Sequence, residues 1–362
     1  MRRFLLVFLL VFACTLGLVA HAQFTLQTSN STASLRGIAA VTDQVAWASG
    51  SSGTVLHTVD GGATWLACAT PPDAAKLDFR GVQAFDAKTA LVMSSGKGDL
   101  SRIYKTTDGC ATWKLVFSNP DADGFFDAMV FRTASSGYVL GDPVAGRFVL
   151  LATTDGGVNW RAIASVDLAT VEAAGAFAAS NTSMVLGQAP SFGGGGSLFY
   201  MGDAQCTMMT AQTQPVACVD AVRFNRRRLP IEHGSPASGI FSLAVNGNTW
   251  MAVGGDYTKP TDAQATAAVS ADGGQHWTAA TTMPHGYRSA VAYDAASKTW
   301  IATGPSGTDV SIDDGKNWRA LLPDAAQGDA ADSDSRWNAL SLPFVVGSKG
   351  RIGRLRSDAL HK

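Results

Sequence analysis

One short pattern, Ser/Thr-x-Asp-x-Gly-x-x-Trp, recurs along this chain and limits what it can fold into. It reads TVDGGATW at 58–65, TTDGGVNW at 153–160, SADGGQHW at 270–277 and SIDDGKNW at 311–318. A fifth copy, TTDGCATW at 106–113, carries Cys110 where the others have glycine. The pattern is that of a hairpin turn. Its aspartate can accept hydrogen bonds from turn amides, its glycines take positive φ without steric cost, and its tryptophan folds back to fill space beside the hairpin. Asp60 with Trp65, Asp108 with Trp113, Asp155 with Trp160, Asp272 with Trp277 and Asp313 with Trp318 are therefore expected to be structural staples.

Successive turn aspartates lie 48, 47, 117 and 41 residues apart. A period in the forties, rich in β-branched residues and Gly turns, is that of a propeller blade. The 117-residue gap must hold a blade whose turn has decayed. SLFYMGDAQCTMM at 197–209 fits, with an apolar strand and then Gly202-Asp203 in place of the turn.

Two strand patterns precede each turn. The first is RGIAAV (36–41), RGVQAF (80–85), DAMVF (127–131), EAAGAF (172–177), IFSLAV (240–245), RSAVAY (288–293) and NALSL (338–342). The second is apolar and ends in small residues: VAWASG, ALVMSSG, YVLGD, MVLGQ, WMAVGG, WIATG and FVVGS. Seven copies predict an all-β, seven-bladed propeller. The last copy has no room for a fourth strand, but FTLQTS (24–29) resembles the segments that follow the turn tryptophans. It is expected to complete the last blade and close the ring, which removes open sheet edges. GGGG (193–196) and AAQGDAADSDS (325–335) read as mobile surface loops, and RFNRRRL (223–229) as a solvated basic loop or an anion-binding patch.

The chain divides into a leader at 1–22 and a propeller at 23–362. Arg2 and Arg3 precede the apolar run Phe4–Val19, and Ala20-His21-Ala22 matches a small-x-small cleavage site. The exported chain would hold 26 basic against 29 acidic residues, a balance that does not call for nucleic acid. No later stretch is long and apolar enough to span a bilayer, so the mature chain is expected to lack a transmembrane segment and to reside in the periplasm or outside the cell. Four cysteines remain after the leader, Cys68, Cys110, Cys206 and Cys218. An even number in an oxidising compartment suggests two disulfides, with Cys206–Cys218 clamping one hairpin and Cys68–Cys110 tying neighbouring repeats; free thiols are the alternative.

In a propeller the repeated turns and the central mouth lie on opposite faces. The starts of the innermost strands bring Arg36, Arg80, Asp127, Glu172 and Arg288 to the mouth. Loops between second and third strands add Asp142, Asp256, Tyr257, Asp309 and Lys349. Positions that depart from the repeat are the ones free for function, so this rim is the candidate binding site. The histidines lack metal-ligand spacing, DADGFFD (121–127) lacks the ligand spacing and terminal Glu of a calcium loop, and no nucleotide-cofactor motif is present. No metal, cofactor or catalytic residue is expected.

The repeated turn is identified as the Asp box of bacterial-neuraminidase-type (BNR) repeats. Sialidases carry such boxes, and their chemistry needs three arginines around a carboxylate, a tyrosine nucleophile activated by glutamate, and an aspartate acid/base. Arg36, Arg80, Arg288 and Tyr287 would supply part of that set, but the chain has only Glu172 and Glu232. The stretch LRGIAAV…VAWASGSSGTVLHTVDGGATW resembles the photosystem II assembly and stability factors, exported or lumenal seven-bladed propellers. A bacterial branch of that family is similar over SRIYKTTDGCATW (101–113), GFFDAM (124–129), VLGDPVAGRF (139–148), SGIFSLA (238–244), AVGGDY (252–257) and GYRSAVAY (286–293). The resemblance covers the mature chain, apart from the decayed fourth box. It implies a propeller that binds a protein partner through an arginine-containing face, to which Arg36, Arg80 and Arg288 correspond. The expected function is a non-catalytic binding or assembly module in the cell envelope; a sialidase-like exo-glycosidase or a glycan-binding propeller are the alternatives.

Overall fold

The computed structural model describes residues 23–170, 175–202, 222–325, 329–356 and 359–360. They form seven antiparallel sheets of four strands each. Blade 7 opens and closes the ring. It holds β1 (Phe24–Gln27), which pairs with the last strand of the chain. Blade 1 is β2 (Leu35–Ala40), β3 (Ala46–Gly50), β4 (Val55–Thr58) and β5 (Leu66–Ala67). Blade 2 is β6 (Phe79–Ala84), β7 (Ala90–Ser94), β8 (Arg102–Thr106) and β9 (Lys114–Ser118). Blade 3 is β10 (Phe126–Phe131), β11 (Gly137–Val144), β12 (Arg147–Thr153) and β13 (Arg161–Ala162). Blade 4 is β14 (Met184–Leu186), β15 (Pro190–Gly194), β16 (Ser197–Met201) and β17 (Phe224–Arg228). Blade 5 is β18 (Ser238–Asn246), β19 (Thr249–Asp256), β20 (Ala267–Ser270) and β21 (Thr278–Ala279). Blade 6 is β22 (Ala290–Asp294), β23 (Thr299–Gly304), β24 (Gly307–Ser311) and β25 (Arg319–Ala320). Blade 7 is completed by β26 (Trp337–Ser341), β27 (Phe344–Gly347) and β28 (Ile352–Leu355).

The innermost strands touch in ring order, β2 to β6, β10, β14, β18, β22, β26 and back to β2. The second strand of a blade is buried on both faces, as in β3, β7 and β19, because a neighbouring blade covers each side. The core therefore lies between blades. Leu35, Ile38, Leu56 and Trp65 of blade 1 pack on Phe344, Val346 and Ile352 of blade 7, and Trp47 and Val55 pack on Phe79, Val82 and Tyr104 of blade 2. His57 belongs to this layer, stacked on Trp47 at 4.1 Å between ring centroids.

The repeated turns joining third to fourth strands share one hydrogen-bond design. The opening hydroxyl of Thr58, Thr106, Thr153, Ser270 or Ser311 donates to the turn aspartate at 2.8–2.9 Å. It also accepts the amide four residues on, from Gly62, Cys110, Gly157, Gly274 or Gly315. The aspartate in turn accepts the amide and the side chain of Thr64, Thr112, Asn159, His276 or Asn317. The glycine position has positive φ in each copy, and Cys110 occupies it at φ 67°. A disulfide joins Cys110 to Cys68, which follows the outer strand of blade 1, with 5.3 Å between Cα atoms. Cys206 and Cys218 lie outside the described residues.

Blade 4 departs from the sequence reading. EAAGAF was expected as its innermost strand, but the described part, Gly175–Phe177, is not a strand, and residues 171–174 lie outside the description. The apolar MVL at 184–186, expected as the second strand, is the innermost strand, and the second strand is Pro190–Gly194. GGGG was expected as a loop; Gly193 and Gly194 are buried strand residues, close against Ile240 and Phe148 where a Cβ would clash. The basic run, also expected as a loop, forms the outer strand β17, paired along its length with β16. Residues 329–335 of the stretch expected as a mobile loop are tied down: Asp329 accepts from the amides of Gln23 and Asp324, and Asp332 holds Arg336 and Arg351.

Candidate functional site

The chain displaced from blade 4 runs across the centre of the ring. Asn181 accepts the amide of Met129 at 2.7 Å and donates to the carbonyls of Met129 and Val82, thereby holding blades 3 and 2. Ser180 donates to the carbonyl of Ser289 beside blade 6 at 2.7 Å, and Thr182 meets Ser242 of blade 5 at 2.7 Å. Asn181 has φ 65°, a left-handed conformation that asparagine tolerates better than most residues. This strap divides the central channel in two. The chamber on the mouth side is a cup of about 460 Å³ floored by Ala178 and Ala179.

The side chains that line the cup are placed by a repeated irregularity. Five innermost strands carry one extra residue in their register with the second strand, between Leu35 and Gly37, Phe79 and Gly81, Phe126 and Ala128, Ile240 and Ser242, and Trp337 and Ala339. A bulge leaves its extra residue unpaired and re-aims its side chain. The extra residues are Arg36, Arg80, Asp127, Phe241 and Asn338, and all but Asp127 line the cup. Phe177 of the strap stacks on Phe241 with ring centroids 3.8 Å apart, and Tyr287 meets Phe241 edge-on at 4.7 Å. Tyr257 stands at the rim, 53% exposed. Sequence reasoning reached the two arginines and Tyr257 but missed Phe177, Phe241 and Asn338, because it looked for departures in charge. For Phe241 and Asn338 the shared position near the start of the innermost strand was the available signal.

Arg80 donates from Nε to Asp78 Oδ2 at 2.9 Å, and Arg36 is ion-paired with the same oxygen at 3.3 Å without a hydrogen bond from its Nε. Burial and the neighbouring Arg80 lower the pKa of Arg36, while Asp78 supports its charge. Arg80 Nη1 reaches the carbonyl of Ala178 at 3.5 Å, fastening the strap to the arginine wall. The pair thus presents two guanidinium groups, held from behind, to an aromatic-walled hollow. That arrangement suits an anion attached to an apolar or aromatic group.

The other expected rim residues are spent elsewhere. Arg288 is 1% exposed and is paired with the fully buried Asp309, whose second oxygen holds His285 at 2.6 Å. Arg288 also donates to the carbonyl of Tyr287 and to Ser306, so its guanidinium belongs to the wall between blades 5 and 6. Asp127 is buried with neither carboxylate oxygen hydrogen-bonded, and burial, reinforced by Asp142, pushes its pKa well up. Asp142 accepts the amide of Ala176 at 2.9 Å and anchors the strap. Asp256 accepts from Thr258 and lies 3.7 Å from Lys259, and the Thr258 hydroxyl holds its pKa down. Lys349 lines a separate groove with Arg336 and Arg351. Glu172 lies outside the described residues.

These positions do not assemble the sialidase set. Arg288 is committed to Asp309, and burial raises the pKa of Tyr287, the reverse of what a nucleophile requires. A larger hollow of about 610 Å³ lies at the seam of the ring, but its Arg354 is occupied by the carbonyls of Asp43 and Gly61. Among the described residues no cluster could hold a metal ion, and no helix is long and apolar enough to cross a membrane.

No protein-family model matches this chain, and no curated protein matches it. Solved structures do. A structure described as YCF48 bound to D1 peptide superposes with a TM-score of 0.61 at 14% identity, covering 93% of this chain and 98% of that one. The fold resembles that of YCF48. A second structure, YCF48 from Cyanidioschyzon merolae, gives a TM-score of 0.60 at 16% identity over 93% of this chain and 100% of that one. The WD40 propeller domain of Doa1 gives 0.57 at 10% identity over 94% of this chain and 99% of that one.

Proposed function

We propose that this protein is an exported, non-catalytic propeller of Asp-box repeats that binds a segment of a protein partner in its mouth-side cup, as a binding or assembly module of the cell envelope. The observation that carries the reading is the pair Arg36 and Arg80, fixed by Asp78 beside Phe177, Phe241 and Tyr257. Two cations beside the exposed Tyr257 ring and the half-buried Phe177 are what an anionic peptide segment needs, and Arg and Tyr are over-represented among the residues that dominate protein interfaces. The strap blocks the channel, so a ligand engages from the mouth side. The YCF48 structure bound to a peptide supports a peptide-binding role for this architecture.

Export is supported by the leader pattern at 1–22 and by the Cys68–Cys110 disulfide, a bond that persists in oxidising compartments.

Selection from a displayed peptide library tests the reading. Peptides selected on the unchanged protein are expected to lose at least about 2 kcal/mol of binding on the Arg36→Gln, Arg80→Gln double variant. Their binding should also weaken with added salt. Peptides that bind the double variant equally well would remove the cup as the site.

A further inference from the structure

We propose that Asp78 sets the cup to a single net positive charge, so that it accepts one carboxylate from a peptide segment and discriminates against a phosphate dianion. The inference rests on the reading of the cup as a peptide-binding site and names the chemistry that the site selects.

Asp78 is the residue immediately before β6 and lies behind both arginines rather than in the lining of the cup. Its Oδ2 accepts a hydrogen bond from Arg80 Nε and forms an ion pair with Arg36, whose Nε, like Asp78 Oδ1, is buried without a hydrogen-bond partner. The two guanidinium groups and one carboxylate leave one positive charge. The flanking ion pairs add none. The Asp256 carboxylate is balanced by Lys259, and Arg288 is balanced by Asp309. Burial disfavours the charged forms of Asp127 and Asp142, and Tyr287 is held as the neutral phenol.

A carboxylate entering this hollow neutralises it. A phosphate dianion would leave one negative charge uncompensated among Phe177, Phe241 and Tyr287, close to Asp78, and a charge removed from water without a partner is strongly disfavoured. Asp78 thus has two effects. It holds Arg80 by its Nε and pairs with Arg36, which leaves the Arg36 Nη atoms and Arg80 Nη2 for a ligand, and it subtracts the charge that would otherwise favour phosphate.

The test uses the mature protein and three probes, each carrying an aromatic ring. They are N-acetylphenylalanine (a terminal carboxylate), N-acetyl-Phe-Glu-amide (a side-chain carboxylate) and N-acetylphosphotyrosine amide (a dianion at pH 7.5). Titration calorimetry gives the affinity of each. The unchanged protein is expected to prefer a carboxylate probe, and the arm that binds tells a chain terminus from an acidic side chain. Asp78→Asn keeps an acceptor for Arg80 and adds one unit of net charge, so it should shift the phosphate-to-carboxylate ratio by about tenfold or more toward phosphate. A probe needing no variant is the methyl phosphodiester of the phosphotyrosine amide, a monoanion, which should bind the unchanged protein better than the dianion does. An unchanged ratio in Asp78→Asn, with carboxylate binding still lost on Arg36→Gln and Arg80→Gln, overturns the role of Asp78 and leaves the cup in place. Rejection of the phosphodiester as strongly as the dianion also overturns it. No carboxylate binding above that of the double arginine variant overturns the cup and this inference together.

Discussion

The indole nitrogen of Trp65, in the first repeated turn, donates to Oε1 of Gln27 in the ring-closing strand at 2.9 Å. The amide of Gln27 returns a hydrogen bond to the carbonyl of Gly61 in the same turn at 3.1 Å. Blade 1 and the strand that completes blade 7 are therefore stitched together across the seam where the two ends of the propeller meet.

The same strand is anchored on its other side by Phe24, which is 2% exposed and lies 5.6 Å from the Trp337 ring. Phe24→Ala is expected to cost about 3–5 kcal/mol in denaturant unfolding. Deletion of residues 24–29 should lower the melting temperature further. A deleted protein that melts like the intact one would contradict closure by this strand.

Cys110 sits at φ 67° where the other turns have glycine, and it carries the bond to Cys68. Reduction should destabilise the fold by about 2–4 kcal/mol. Cys110→Gly and Cys110→Ala both remove the bond, but glycine suits the backbone, so the alanine variant should be less stable by about 1 kcal/mol. Thermal melts of the two variants under reducing conditions measure that difference.

The turn aspartates give the fold a defined acid limb. Hydrogen bonds from the residue four positions on hold Asp60, Asp108 and Asp155 at a pKa of about 2. A depressed folded-state pKa contributes stability above the unfolded pKa and loses it as pH falls through the folded value. The melting temperature should therefore drop between about pH 4 and pH 2. Asp127 has the opposite sign, since its raised pKa makes the ionised form a cost at neutral pH. Asp127→Asn should raise the melting temperature at pH 7 and change it less at pH 3.

Arg288 and Asp309 separate structure from function. Asp309→Ala strands a buried guanidinium and should cost about 3–5 kcal/mol in unfolding. Arg80→Ala, by contrast, should leave stability within about 1 kcal/mol, since it removes a partly exposed ion pair, and should act on binding. Equal stability losses in both would assign Arg80 a structural role too.

The architecture was legible because each blade repeats the same physical problem. A turn needs positive φ and an internal acceptor, and a second strand covered on both faces needs unbroken apolar residues. Blade 4 was misread where those signals fail. Gly193 and Gly194 look like loop residues, yet they form strand because Ile240 and Phe148 leave no room for a Cβ. Ala176, Phe177 and Ala178 look like strand, yet this segment crosses the channel, held by Asp142, Asn181 and Ser180 through contacts far apart in sequence. Arg36 and Arg80 could be placed at the mouth by counting along the repeat. The commitment of Arg288 to Asp309, and the bridging of the arginine pair by Asp78, depend on partners that local pattern does not pair.

The most direct measurement is a crystal structure of the protein with a peptide selected against it. The account predicts a carboxylate within hydrogen-bond reach of Arg36 or Arg80, and an adjoining side chain against Phe241 and Tyr257. A peptide seated on the repeated-turn face, or along the edge of β17, with the cup left to solvent, would contradict it.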